Sequence, residues 1–204
     1  MSLLDDWFEE HVKGKSVPLL REGSSAVSTI TRRGRMTLER HPAFTELMVR
    51  TVEEGLMTDS WVGLVYIMHW LREGMIYPLY IGKAERRGVS QDLSFNITNI
   101  RKNDHAFGRW GYGLAYHLGD LSHAMFGGKA YKNPSAKYRR WAETLFTGFD
   151  PPVLREPLFL AIISWHKGMK GPSRLEGSVL SVEKELIALA SAEYPDILLN
   201  VDGR

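Results

Sequence analysis

"WVGLVYIMHWLREGMIYPLYIG", Trp61 to Gly82, is the stretch on which the fold turns. Residues 61–70 are a continuous apolar run rich in β-branched and aromatic side chains, the pattern of a strand buried on both faces. "LREG" brings a turn, and "YPLYIG" reads as a second strand that ends at Gly82, so 61–82 is predicted to be a β-hairpin. The tight spacing makes the pair antiparallel. Directly after Gly82 come Lys83, Glu85, Arg86 and Arg87, so the strand end delivers a phenol, a glycine and several cations to one spot.

Outward from the hairpin, Leu3–Val12 has helical spacing, with Asp5 and Asp6 in its first turn, where the helix dipole favours negative charge. Residues 13–42 are mixed and turn-rich ("REGSS", "RRGR"), and a helix is expected over about 43–54, with Phe44, Leu47, Met48 and Val52 on one face. Beyond the hairpin, residues 90–150 are aromatic, Gly-rich and basic, with a helix at "PSAKYRRWAETLF". "EPLFLAIISWH", 156–166, is a third strand, and a helix is expected from about Val179 to Ala192 before "YPDILLN". The sequence therefore predicts an α+β fold: a small, mostly antiparallel sheet of about three strands flanked by helices. Residues 1–60 form an N-terminal helical extension. Residues 61–204 form the main domain, with a large insertion at 106–150.

Composition narrows the function classes. At 204 residues, 44% hydrophobic and 25% charged, the chain matches an ordinary globular protein with one well-buried core. It has no cysteine, which excludes disulfides, thiolate metal sites and a Cys nucleophile, and favours a cytoplasmic setting. No export signal or membrane span is expected, since the longest apolar runs are about half the length a spanning helix needs. The net charge of +2 is unevenly spread: residues 61–150 carry 12 Lys/Arg against 7 Asp/Glu, whereas residues 1–60 carry 8 against 10. A basic centre is compatible with a phosphate-bearing partner. It is not a P-loop, because Gly74 lies eight positions before Gly82 and Ala84 follows Lys83 where Ser or Thr is required.

The hairpin resembles the core of the GIY-YIG nuclease family. Leu64-Val65-Tyr66 stands where that family has GIY, Tyr80-Ile81-Gly82 matches YIG outright, and the two tyrosines are fourteen positions apart. Downstream, "NIRKNDHAF" gives Arg101 and His105 at i and i+4, "SVEKELIAL" gives Glu183 ahead of Leu186-Ile187, and "YPDILLN" supplies Pro195 and Asn200. Tyr, Tyr, Arg, His, Glu and Asn follow in the family's order.

What the resemblance implies is a divalent-metal-dependent endodeoxyribonuclease. Phosphodiester hydrolysis needs an activated water and stabilisation of a more negative pentavalent phosphate. By resemblance, Tyr66 positions or deprotonates the water, Tyr80 hydrogen-bonds the phosphate or that water, and Arg101 clamps the phosphate with its forked donors. His105 assists proton transfer or orients Tyr66. Glu183 holds a single Mg²⁺ (or Mn²⁺), an ion that keeps several waters and takes few carboxylates. Asn200 is a structural support, and Lys83 lowers the pKa of a neighbouring phenol. Gly82 is expected to let the backbone turn where a phosphate approaches.

Arg86, Arg87, Arg109, Lys137, Arg139 and Arg140 are candidate DNA contacts, while Trp110, Tyr112, Tyr138 and Trp141 are expected to cover a small core within the insertion. His117 and His123 lack ligand companions at metal spacing and are expected to pack or lie on the surface. The absence of a separate DNA-targeting domain resembles the restriction members of the family, which implies a two-fold homodimer. Two alternatives stay open: a repair or defence nuclease acting on single-stranded or structured DNA, and an inactive DNA-binding module.

Overall fold

The computed structural model describes residues 2–87, 93–95, 97, 98, 100, 107–127 and 135–201. In chain order they form α1 (Leu3–His11), β1 (Ser16–Pro18), β2 (Thr29–Arg32), β3 (Arg35–Leu38), α2 (Pro42–Leu56), β4 (Trp61–Arg72) and β5 (Met75–Glu85). A 3-10 turn at Phe107–Arg109 follows, then α3 (His117–Phe126), α4 (Ala136–Leu145), β6 (Phe146–Phe149), β7 (Pro152–Leu154), β8 (Phe159–His166) and α5 (Val179–Glu193). The fold is α+β. Among the described residues, no helix is long and apolar enough to cross a membrane.

The main sheet has four strands in the order β1-β8-β4-β5, every pair antiparallel. β4 lies inside it, so its alternate side chains enter two different cores. Leu64, Tyr66 and Met68 join one core with Phe44, Met48, Trp110, Leu118 and Trp141. Val65 and Ile67 join the other with Leu4, Trp7, Phe8, Leu186 and Ile187. Burial on both faces is why 61–70 reads as unbroken hydrophobicity.

Besides the small β2–β3 and β6–β7 hairpins and α3, which the sequence reading did not expect, three features depart from it. β5 does not end at Gly82 but continues to Glu85, because Gly82, Lys83 and Ala84 stay paired with Tyr66, Val65 and Leu64. The fourth strand, β1, comes from the N-terminal 60 residues and pairs with β8 at Ser16↔Ala161 through Pro18↔Phe159. The aromatics of the insertion form no separate small core. Trp110, Tyr112, Tyr138 and Trp141 are buried in the same cluster as Tyr66. Residues near both ends of the described chain are tied down. Ser2 caps α1 in a reciprocal pair with Asp5. At the other end, Leu199 N–H donates to Leu79 C=O at 2.6 Å along the outer edge of β5.

Candidate functional site

Tyr66 and Tyr80 project from one face of the β4–β5 hairpin. Cross-strand partners share a face, and Tyr66 pairs with Gly82 while Met68 pairs with Tyr80. The two phenol rings are 6.3 Å apart between centroids and inclined by 35°. Gly82 is what allows this: a β-carbon there would lie 2.5 Å from Cε2 and Cζ of Tyr66 and 2.6 Å from its hydroxyl. The role expected of Gly82, a turn for an approaching phosphate, is thereby corrected. It is a strand residue whose missing side chain leaves room for the Tyr66 ring.

The insertion walls in the tyrosines. Trp110 meets Tyr66 edge-on at 5.8 Å between ring centroids, and Trp141 lies 4.8 Å from Tyr80. His117, 2% exposed, meets Tyr80 edge-on at 5.0 Å and stacks on Trp141 at 5.2 Å. Its Nδ1 lies 2.8 Å from the Tyr138 hydroxyl, whose pKa burial pushes up so that it stays a donor. His117 then carries its proton on Nε2, which has no hydrogen-bond partner among the described residues. Burial lowers the His117 pKa to about 3, with Lys137 and Arg109 adding to the effect. Packing was expected of His117; its place against Tyr80 was not, and no motif in the sequence marks it. Lys137 puts its ammonium 5.1 Å from the Tyr80 ring centroid and 5.5 Å from that of Trp141.

The electrostatics single out two further groups. Burial raises the Tyr66 pKa well above its usual value, and Tyr80 and the Glu183 carboxylate push the same way, while Arg109 opposes them. The charges of Glu183 and Arg109 therefore both reach Tyr66. Arg109 is exposed, carries a left-handed backbone (φ 68°), and its charge also reaches Tyr138 and His117. A non-glycine residue held there costs backbone strain of order 1 kcal/mol, a feature enriched at functional positions. Glu183 is half-buried on α5, and desolvation raises its pKa despite the opposing charge of Lys83. Its neighbour Glu185 faces elsewhere, accepting from Ser173 N–H and closing over Gly171.

The remaining candidates separate into distinct roles. Lys83 pairs with Glu85 at 3.1 Å and shares a face with Val65, opposite Tyr66, so it does not lower that phenol's pKa as expected. Asn200 is 5% exposed and clasps β5: Ile81 N–H donates to its Oδ1 at 2.9 Å, and its Nδ2–H donates back to Ile81 C=O at 2.8 Å. Arg86 donates to the carbonyls of Thr58 and Trp61, and Arg140 to that of Leu198, so both brace backbone. Arg87 and Arg139 are exposed. Arg101 and His105 lie outside the described residues. The structure thus brings together Tyr66 and Tyr80 with His117 and Lys137. Glu183 rides on α5, whose Val182 and Leu186 pack with Val65 on the opposite face near Lys83, and Glu183 and Arg109 reach Tyr66 through their charges.

No cluster of three metal-ligating side chains occurs among the described residues. A partly desolvated carboxylate suits a hard cation that retains most of its waters, so Glu183, with the Glu85 charge nearby, fits a single Mg²⁺. Compared with protein-family models, with curated proteins and with solved structures, the chain finds no match.

Proposed function

We propose that the protein is a metal-dependent DNA endonuclease of the GIY-YIG type, restriction-like, acting as a two-fold pair on duplex DNA. The observation that carries this reading is the pairing of Tyr66 with a second phenol, Tyr80, at a site that the charges of Glu183 and Arg109 also reach, three groups from three separate segments. Desolvation raises the Glu183 pKa, so holding this carboxylate half-buried on α5 is a cost in stability that the fold does not require.

Tyr66 orients the attacking water through its hydroxyl, and Tyr80 holds the same water or a phosphate oxygen. Arg109 meets the charge that develops on the phosphate, taking the part expected of Arg101. His117 offers Nε2–H beside Tyr80 and remains neutral at every physiological pH. When bound at Glu183, the cation supplies Lewis acidity at the scissile phosphate. The new P–O bond forms from the water, the opposite P–O bond breaks with its oxygen leaving and taking a proton from solvent, and the water's proton leaves by way of the Tyr66 oxygen. Because Tyr66 is hard to ionise, that proton route is favoured by alkaline pH.

The test is incubation with supercoiled plasmid and Mg²⁺, beside Glu183→Gln and an EDTA control. Discrete linear fragments lost in both controls support a site-specific nuclease. Binding without cutting of either duplex or single-stranded substrates leaves only a DNA-binding module.

A further inference from the structure

We infer that the β2–β3 hairpin is a DNA-reading ribbon that enters the major groove of a duplex beside the tyrosine site. This rests on the nuclease reading for its substrate, and the ribbon supplies what that reading lacks, a means of gripping double-stranded DNA.

Strands β2 and β3 pair from Thr29↔Leu38 to Arg32↔Arg35, leaving Arg33 and Gly34 as a two-residue loop. Three of the four residues at the tip, 32 to 35, are arginines, and no Asp or Glu occurs between Glu22 and Glu39. Arg32 and Arg33 are exposed. Behind the tip, the cross-strand pair Thr31 and Met36 faces solvent, with Met36 52% exposed. That pair offers a hydroxyl and an apolar surface to base edges, while the arginines offer charge to phosphates or forked donors to guanine. Two four-residue strands span roughly 14 Å, and the major groove, about 12 Å wide, admits a two-stranded ribbon.

The loop carries a second signal. Arg33 and Gly34 both have positive φ, 48° and 74°, the primed turn whose first central position is ordinarily Asn, Asp or Gly. An arginine there costs local stability, and nothing in the hairpin's own packing requires it.

The base of the ribbon is fixed to the candidate site. Leu38 N–H donates to Ser122 Oγ on α3 at 3.0 Å, and Arg40 N–H donates to the Tyr112 hydroxyl at 3.1 Å. The Arg40 guanidinium donates to Trp110 C=O at 3.1 Å, and at the loop end the Arg32 guanidinium is held 4.3 Å over the Tyr112 ring, which leaves Arg33 as the arginine on which the ribbon depends. Trp110 in turn touches Tyr66. A duplex held by the ribbon is therefore held at a set distance from the tyrosines.

Arg33→Asn and Arg33→Asp separate binding from folding, because both install the residues this turn prefers. Fluorescence anisotropy of the full chain in EDTA, on labelled duplex and on the matching single strand, is read across a salt series alongside thermal melting. The expected result is duplex affinity about ten-fold weaker for Arg33→Asn and weaker again for Arg33→Asp, with a salt slope lower by about one. Tm is unchanged or raised. Duplex binding within two-fold of wild type for both variants overturns the ribbon, as does an equal loss on single strand and duplex, or a wild-type chain that binds no duplex. Ribbon-dependent binding by a wild-type chain that cuts nothing with Mg²⁺ sinks the nuclease reading and leaves the ribbon standing.

Discussion

The Tyr66 ring fills the space where a side chain at position 82 would begin, its Cε2 2.5 Å from where that β-carbon would stand. Gly82→Ala must therefore push the phenol or spread the strands. The expected cost is about 1–3 kcal/mol of stability from overpacking. Cleavage should fall ~100-fold or more, as it does when a reacting group moves by about an ångström. Thermal melting beside a plasmid assay checks both. A stable and fully active Gly82→Ala protein would mean that the Tyr66 position does not matter to turnover.

Tyr66 should also leave its mark on the pH profile. Its pKa is raised, first by burial and then by Tyr80 and Glu183, so at neutral pH almost none is ionised. If the Tyr66 oxygen accepts the water's proton, single-turnover cleavage should rise about ten-fold per pH unit through the range 8 to 10 without a plateau. Tyr66→Phe should abolish activity at every pH. A flat profile over that range would remove Tyr66 as the base and leave it an orienting group.

Glu183→Gln should trade function for stability. Its carboxyl pKa is raised by desolvation, so the folded protein holds a proton there more tightly than the unfolded chain does. That contribution is fully present below the unfolded pKa of about 4.3 and is lost as pH rises through the higher folded value. Without metal, the glutamine variant should match wild type at acid pH and melt higher at neutral pH. Added Mg²⁺ should raise the Tm of wild type and not that of the variant. Equal metal shifts in the two would place the cation elsewhere.

Arg109 offers a similar separation. Arg109→Gly relieves the left-handed backbone at φ 68°, while removing the guanidinium that acts on Tyr66. Stability should hold or improve, and kcat should drop about 10²–10³-fold, the usual cost of losing a donor to developing charge. Unchanged kcat would return the phosphate-clamping role to Arg101.

Acid should weaken the fold through His69. It is fully buried, its Nδ1–H donates to Ile67 C=O at 3.1 Å, and its Nε2 accepts from Ser16 Oγ at 3.0 Å, tying β4 to β1. Burial lowers its pKa to about 4. A depressed folded pKa gives stability that is complete above the unfolded value of about 6.5 and declines as pH falls towards 4, by on the order of 3 kcal/mol. Melting from pH 7 to 4, beside His69→Gln, checks this: the variant should lose much of the slope.

The β4–β5 hairpin, α1, α2, α4, β8 and α5 were legible because each is long enough to show its own period or burial run. The placing of Tyr66 and Tyr80 on one face of the hairpin came with them. The β2–β3 ribbon was hidden by chemistry, since its loop carries Arg-Gly where a hairpin normally advertises Asn-Gly or Asp-Gly. The summed charge of residues 1–60, slightly acidic, concealed its three arginines as well. β1 is three residues long, below what any pattern resolves. α3 contains Gly119, which weakens a helix by propensity but is required here, because a β-carbon would fall 2.0 Å from the Gly113 carbonyl oxygen. His117 rides on that helix, so its approach to Tyr80 is set by long-range packing that no local spacing encodes.

The Asn200 clasp on Ile81 joins residues 119 positions apart. The hairpin bearing both tyrosines closes locally and can form early, whereas Glu183 and the clasp belong to contacts of high sequence separation, which arrive late and slowly. During synthesis, a chain extended only as far as β8 holds its two phenols without the Glu183 carboxylate and with an unpinned edge. On the nuclease reading, a copy still lacking α5 and the clasp is therefore expected to be inert.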